Sequence, residues 1–328
     1  MKKFILGTAM ALVMSTAAHA ETVGVSMAKF DDNFLTVLRN GMTDYAKTLS
    51  GVTLQVEDAQ NDVSKQQSQI QNFIASKVDA IIVNPVDTDA TTAMSKLAAD
   101  AGIPLVYVNR QPVNVDTLPD KQAFVASNEQ ESGTLETKEI CRILGGKGKA
   151  VVIMGELSNQ AARMRTQDVH DVVKTDECKG LEIVEEQTAN WDRTQGADLM
   201  TNWLSSGIEF DAVISNNDEM AIGAIQALKA AGKDMTKVVV GGVDATQDAL
   251  AAMQAGDLDV RLGGHRVGRI LPDELVERGL GLADERRPAG LVGLAGRLLQ
   301  PDAGQLQRDQ LGLLRRDERR VRLQLLEP

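Results

Sequence analysis

The regular alternation of short apolar runs with amphipathic stretches between residues 21 and 260 constrains this chain more than any other feature. Thr22–Met27, Val52–Glu57, Asp79–Asn84, Pro104–Asn109 and Ala123–Ser127 have strand length and are rich in Val, Ile and Ala. Segments of helical period lie between them, at about 33–49, 63–77 and 88–101, and another follows them to Leu144. The pattern resumes with strands at Lys149–Met154, Leu181–Glu186, Asp211–Ser215 and Lys237–Gly241, and helices near 160–174, 194–205, 218–230 and 246–255. Apolar strands separated by helices form parallel sheets covered on both faces. About ten such strands are too many for one small doubly wound sheet. The expected fold is therefore α/β, with two doubly wound parallel-sheet lobes joined by a hinge, one spanning 21–127 and the other 128–260.

In such sheets ligands bind beyond the carboxyl ends of the strands. The residues there are polar in strand after strand: Asp31 and Asp32, Asn84, Asn109 and Arg110, Ser127 and Asn128, Asn216 to Asp218, and Asp244. A single Asn or Asp at such a place is accounted for as a helix cap. Six strand ends bearing them exceed what capping requires. Amides, carboxylates and guanidinium forks supply the paired donors and acceptors that vicinal hydroxyls need, and aromatic rings cover the C–H face of a ring. Phe30, Phe34 and Trp191 are candidates for that second role, although each is also the kind of residue that fills a core.

Catalytic chemistry is not visible. The three histidines, His19, His170 and His265, form neither a metal pair nor a nucleophile–base arrangement. There is no phosphate loop and no dinucleotide fingerprint, and Gly145-Gly146-Lys147-Gly148 precedes a strand, so it reads as a turn. No metal and no cofactor is expected. A formal charge of −11 argues against a broad grip on nucleic acid.

The N-terminus has the pattern of an export signal. Lys2 and Lys3 precede the uncharged run Phe4–Met14, and Ala18-His19-Ala20 offers small residues for cleavage after Ala20, so residues 1–20 are expected to be removed on the way to the periplasm. Cys141 and Cys178 fit an oxidising compartment, either as one disulfide or as two buried thiols.

Residues 261–328 break the composition. All sixteen lysines lie before this segment, which instead holds thirteen of the nineteen arginines. Leu, Gly and Arg make up 39 of its 68 residues, and Ser, Thr, Asn and every aromatic residue are missing. Ten acidic residues dilute the arginines, which argues against a nucleic-acid arm. A helical domain is a second reading, and GC-rich DNA translated out of frame from near residue 260 is the one preferred here.

The motifs Ala80–Pro85 with Asp87-Thr88-Asp89, Gly102–Gln111, Ala161–Arg165, Asn217–Ala221 and Gly242–Thr246 occur in order. At these the chain resembles the type I periplasmic binding proteins for ribose, galactose and inositol, which capture solutes for ABC importers. Phe30–Leu35, Gly155–Arg163 and Asn190–Arg193 look more like the inositol branch than the ribose branch. The resemblance implies a monomer that closes on a polyol and is then recognised by a membrane permease and its ATPase. It implies as ligand residues Asp32 and Phe34, Asn84, Asn109 and Arg110, Arg165, Trp191, Asn217 and Asp244. Asn109 stands where ribose binders carry Asp, and Val243 where they carry Phe. The resemblance stops after Val260, where family members continue into a strand bearing a glutamine ligand; about Gly264 holds that place here. Alternatives are a pentose or hexose binder, the inducer-sensing domain of a repressor, which needs a helix-turn-helix where this chain has a leader, and an enzyme on the same scaffold.

Overall fold

The computed structural model describes residues 20–262 and 268–270. The leader and most of the arginine-rich tail, and the expectations placed on them, lie outside these residues.

The first lobe runs β1 (Glu21–Met27), α1 (Asn33–Lys47), β2 (Val52–Asp58), α2 (Val63–Ala75), β3 (Ala80–Val83), α3 (Thr91–Asp100), β4 (Leu105–Val108) and β5 (Gln122–Ala126). The second runs α4 (Glu129–Ile143), β6 (Lys147–Met154), α5 (Gln160–Val172), β7 (Gly180–Thr188), α6 (Arg193–Ser205), β8 (Ala212–Ser215), α7 (Asp218–Ala230), β9 (Val239–Val243), α8 (Gln247–Ala255) and β10 (Val260–Leu262). A last short strand, β11 (Gly268–Ile270), pairs antiparallel with β5 and so returns the chain to the first sheet. Strands 260–262 and 268–270 thus lie where the sequence pattern stops; ladder pairing uses backbone groups and demands little of the side chains.

The sheet orders are β11-β5-β4-β3-β1-β2 and β10-β9-β8-β6-β7. Apart from β11 the two are the same doubly wound arrangement, with all strands parallel. The reason is visible in burial. Every residue of β3 (AIIV), β4 (LVYV) and β8 (AVIS) is buried, as covering both faces requires, whereas the edge strand β2 begins by alternating exposed and half-buried positions. Gly24 on β1 leaves room for the Phe73 ring of α2, since a Cβ there would lie 2.5 Å from it. Cys141 at the end of α4 and Cys178 before β7 form a disulfide with Cα atoms 5.8 Å apart.

The strand order reverses between β1 and β3 in one lobe and between β6 and β8 in the other, and the crevices at such switch points receive ligands. Direct hydrogen bonds join the lobes here. The Thr88 amide donates to Ser158 O (3.1 Å), Asn61 Nδ2 to Glu156 Oε1 (2.8 Å), and Arg163 to Thr88 Oγ1 (3.2 Å) and Asp89 Oδ1 (3.1 Å). The two lobes are thus in direct contact in this structure.

Candidate functional site

The cleft is lined by strand ends held in unusual backbone conformations. β2 and β7 each run into the same corner, Ala59-Gln60-Asn61-Asp62 and Ala189-Asn190-Trp191-Asp192. The Ala amide bonds back to the neighbouring strand, at Met27 O (2.9 Å) or Met154 O (2.8 Å), and the Asp caps the next helix. The two middle residues have positive φ in both corners, 54° and 57° for Gln60 and Asn61, 54° and 65° for Asn190 and Trp191. Asn109 (63°) and Asp244 (122°) share this property. Such conformations cost L-residues about 1–2 kcal/mol and are held in place by surrounding contacts.

Asn84, at the end of β3, is fully buried and its amide is engaged on all sides. Oδ1 accepts from the Ala28 amide (3.3 Å), and Nδ2 donates to Val108 O (3.2 Å) and Asn109 Oδ1 (3.0 Å). It ties three strand ends together in this arrangement. Asn217 is similarly engaged: Oδ1 caps α7 at the Met220 amide (3.0 Å) and Nδ2 reaches Trp191 O (3.4 Å). Asp32 caps α1 through Oδ1 at the Leu35 amide (2.8 Å), leaving its second oxygen.

Other predicted residues keep unengaged polar atoms. Arg110 is buried, and only Nη1 is used, on Pro85 O (2.9 Å) and Val86 O (3.3 Å). Burial lowers its pKa, opposed by the charges of Glu156 and Asp32. Arg165 is also buried; Nε donates to Glu129 Oε2 (2.6 Å) and Nη1 to Asn216 O (2.5 Å). Burial works to lower the Arg165 pKa, but Glu129, Asp244 and Glu136 outweigh it and raise the value. Asp244 accepts no hydrogen bond from the described residues and lies 3.8 Å from Arg165 Nη1. Burial pushes its carboxyl well above the ordinary range, Arg165 pulls it down, and Asp218, Asp32 and Glu129 add to the rise. Asp32 belongs to the first lobe and Asp244 to the second, and the charge of the first adds to the rise of the second.

The aromatic candidates separate. Trp191 is buried in the second-lobe core, with the Arg165 guanidinium 5.7 Å from its ring centroid and its Nε1 donating to Asn159 Oδ1 (3.1 Å). It lies flat against Gly155, where a Cβ would come within 2.2 Å of the ring. Phe30 and Phe34 are half-buried against the first-lobe core, and the Phe30 ring faces the Arg39 guanidinium at 4.2 Å. Phe30 also borders an open depression of about 650 Å³ at the cleft mouth, with Asn61, Glu156 and Asn190.

Sequence reasoning missed Glu129, Asn159 and Glu156. Asn159 and Glu156 fall inside the stretch Gly155–Arg163, and the order strand–turn–cap would have marked Asn159 only as a helix start. Glu129 opens α4, a place where an acid is explained by the helix dipole alone. Among the described residues no group of His, Cys, Asp and Glu is placed to hold a metal ion, and no helix is long and apolar enough to cross a membrane.

Comparison with known proteins gives the site its context. A family model described as "Periplasmic binding protein domain" matches residues 23–263. The chain is 78% identical over 269 residues to a "Putative rhizopine-binding protein" of Rhizobium meliloti, covering 82% of this chain and 87% of that one. A solved ABC transporter solute binding protein from Bacillus halodurans with bound myo-inositol is 36% identical with a TM-score of 0.70, covering 80% of this chain and 99% of that one. The Caulobacter myo-inositol binding protein bound to myo-inositol is 30% identical with a TM-score of 0.68, covering 74% and 80%.

Proposed function

Because this chain belongs to the periplasmic binding protein family, we propose that it is the solute-capturing component of an ABC importer and that its solute is an inositol-type polyol. One observation carries the reading. Side chains of both lobes keep unengaged hydrogen-bonding atoms at one cleft: half-buried Asp32 and Asn109 and buried Arg110 from the first lobe, buried Arg165 and half-buried Asp244 from the second. A buried donor or acceptor without a partner costs about 1–3 kcal/mol, which a ring bearing hydroxyls offsets by bonding several at once. Trp191 beside Arg165 supplies an apolar face for the ring. The relatives that bind myo-inositol support this class of solute, as does the rhizopine-binding relative at 78% identity. Asn109, in place of a carboxylate, speaks against ribose.

The mechanism is capture by hinge closure. The solute bonds to one lobe, and the second lobe closes over it, giving the arrangement in which Thr88, Asn61 and Arg163 make their contacts across the cleft. The closed monomer is then read by a permease and its ATPase. Export requires cleavage after Ala20. The family match ending at residue 263 supports the reading of the tail as out-of-frame sequence, which resequencing the DNA around codon 260 tests directly. Titration calorimetry with myo-inositol, its amino and O-methyl derivatives, and ribose tests the function; saturable heat for an inositol is expected, and silence for every inositol refutes it.

A further inference from the structure

Asn159 breaks a local rule. It occupies the N-cap position of α5, where Asn ordinarily accepts from its own helix, yet its side chain makes no capping bond. Wherever an Asn, Asp or Thr begins another described α-helix, at Asp32, Asp62, Asn128, Asp192, Asn217 and Thr246, the side chain caps. Asn159 is fully buried and its amide is committed elsewhere. Oδ1 accepts from Trp191 Nε1 (3.1 Å), and Nδ2 donates to Ser158 Oγ (3.0 Å) and, across the cleft, to Val86 O (3.1 Å). Val86 O is also bonded by Arg110 Nη1 (3.3 Å). A continuous path of hydrogen bonds therefore runs from the Trp191 ring of one lobe to the Arg110 guanidinium of the other.

From this we infer that Asn159 is a positioning residue that makes lobe closure and placement of the Trp191 ring a single event. The inference rests on the hinge-closure reading above. When the lobes part, Nδ2 loses Val86 O and the amide becomes free to turn, which releases its hold on the indole. When they close, the amide is fixed from both sides, and with it the indole edge of the ring that packs on Gly155. Arg163 also bridges the lobes, through Thr88 and Asp89, but does not bond Trp191, so it serves as a comparison.

The test uses the full chain with Trp203→Phe, which leaves Trp191 as its one tryptophan. Asn159→Asp keeps an acceptor for the indole and removes the donor to Val86 O; Asn159→Ala removes both. Spin labels at Val37→Cys and Ile143→Cys, exposed positions on α1 and α4, report the distance between the lobes. The Asp variant is expected to depopulate the closed distance and to weaken polyol binding about tenfold or more, with the Trp191 indole NMR resonance moving towards its open-state position as closure is lost. The Ala variant should move that resonance even at polyol concentrations that restore the closed distance, whereas Arg163→Ala should depopulate closure and move the resonance only in step with it. An Asp variant that closes and binds like its parent overturns the inference, as does an indole resonance indifferent to Asn159→Ala, or a parent that never samples the closed distance. A parent that closes without binding any inositol refutes the functional reading instead.

Discussion

Replacing Glu136 with Gln should alter how this protein's stability depends on pH. Glu136 projects from α4 under β8 and β9, 1% exposed, with Oε1 accepting from the Ser215 amide (3.2 Å) and Oε2 bonded to nothing described. Burial raises its pKa from 4.5 to about 8; the Ser215 bond and Arg165 lower it, and Asp218 raises it. The folded protein thus holds a proton that the unfolded chain gives up. Stability from this group is full below pH 4.5 and falls as pH rises, until the folded carboxyl itself ionises near 8. Between pH 5 and pH 8 the loss is roughly 3 kcal/mol, at 1.36 kcal/mol per unit over most of that interval. Glu136→Gln keeps the shape and the acceptor for Ser215 and does not titrate. Urea unfolding at several pH values should give the parent a decline that the variant lacks, so that the variant gains on the parent steadily from pH 5 to 8. Equal pH dependence in the two proteins would show that Glu136 is already ionised when folded, and the argument from its unbonded oxygen would fail.

Three other outcomes follow from the same structure. Removing the disulfide with Cys141→Ala and Cys178→Ala should cost about 4 kcal/mol by the chain-entropy estimate for its 37-residue separation, seen as a lowered urea midpoint; an unchanged midpoint would count against that estimate. Gly155→Ala drives a methyl into the Trp191 ring and should destabilise by about 1–3 kcal/mol while shifting tryptophan emission; thermal melts and fluorescence check both. Asp244→Ala should weaken polyol binding by about 2–4 kcal/mol in calorimetry with little change in melting temperature, because the carboxylate accepts no hydrogen bond from the described residues and its ion pair with Arg165 is long (3.8 Å); unaltered affinity would remove it from the site.

Much of this molecule is legible in its sequence because its strands are short and wholly buried. AIIV, LVYV and AVIS have the length and composition of central parallel strands, and most of the helices carry their own caps. Strand ends then point to a cleft. What cannot be read is how each polar side chain there divides its bonds. Asn84 and Asn109 look alike in sequence, yet the first is consumed by three strand ends and the second retains its Nδ2. Trp191 could be assigned to core or cleft and is in contact with both, because a left-handed corner turns it back against Gly155. Asn159 was hidden by its own plausibility, since a helix start explains an Asn completely until the other side of the cleft is seen.

The division between engaged and unengaged side chains bears on how such a trap acquires new tastes. Asn84 and Asn217 hold strand ends and helix starts in place, so replacing either disturbs the frame before it touches recognition. Asn109, Arg110 and Asp244 each keep polar atoms that make no hydrogen bond among the described residues. Mutation can exchange these few, one at a time, within an intact scaffold. Selection for a different solute should therefore write its record at those three positions and leave the two anchoring asparagines alone.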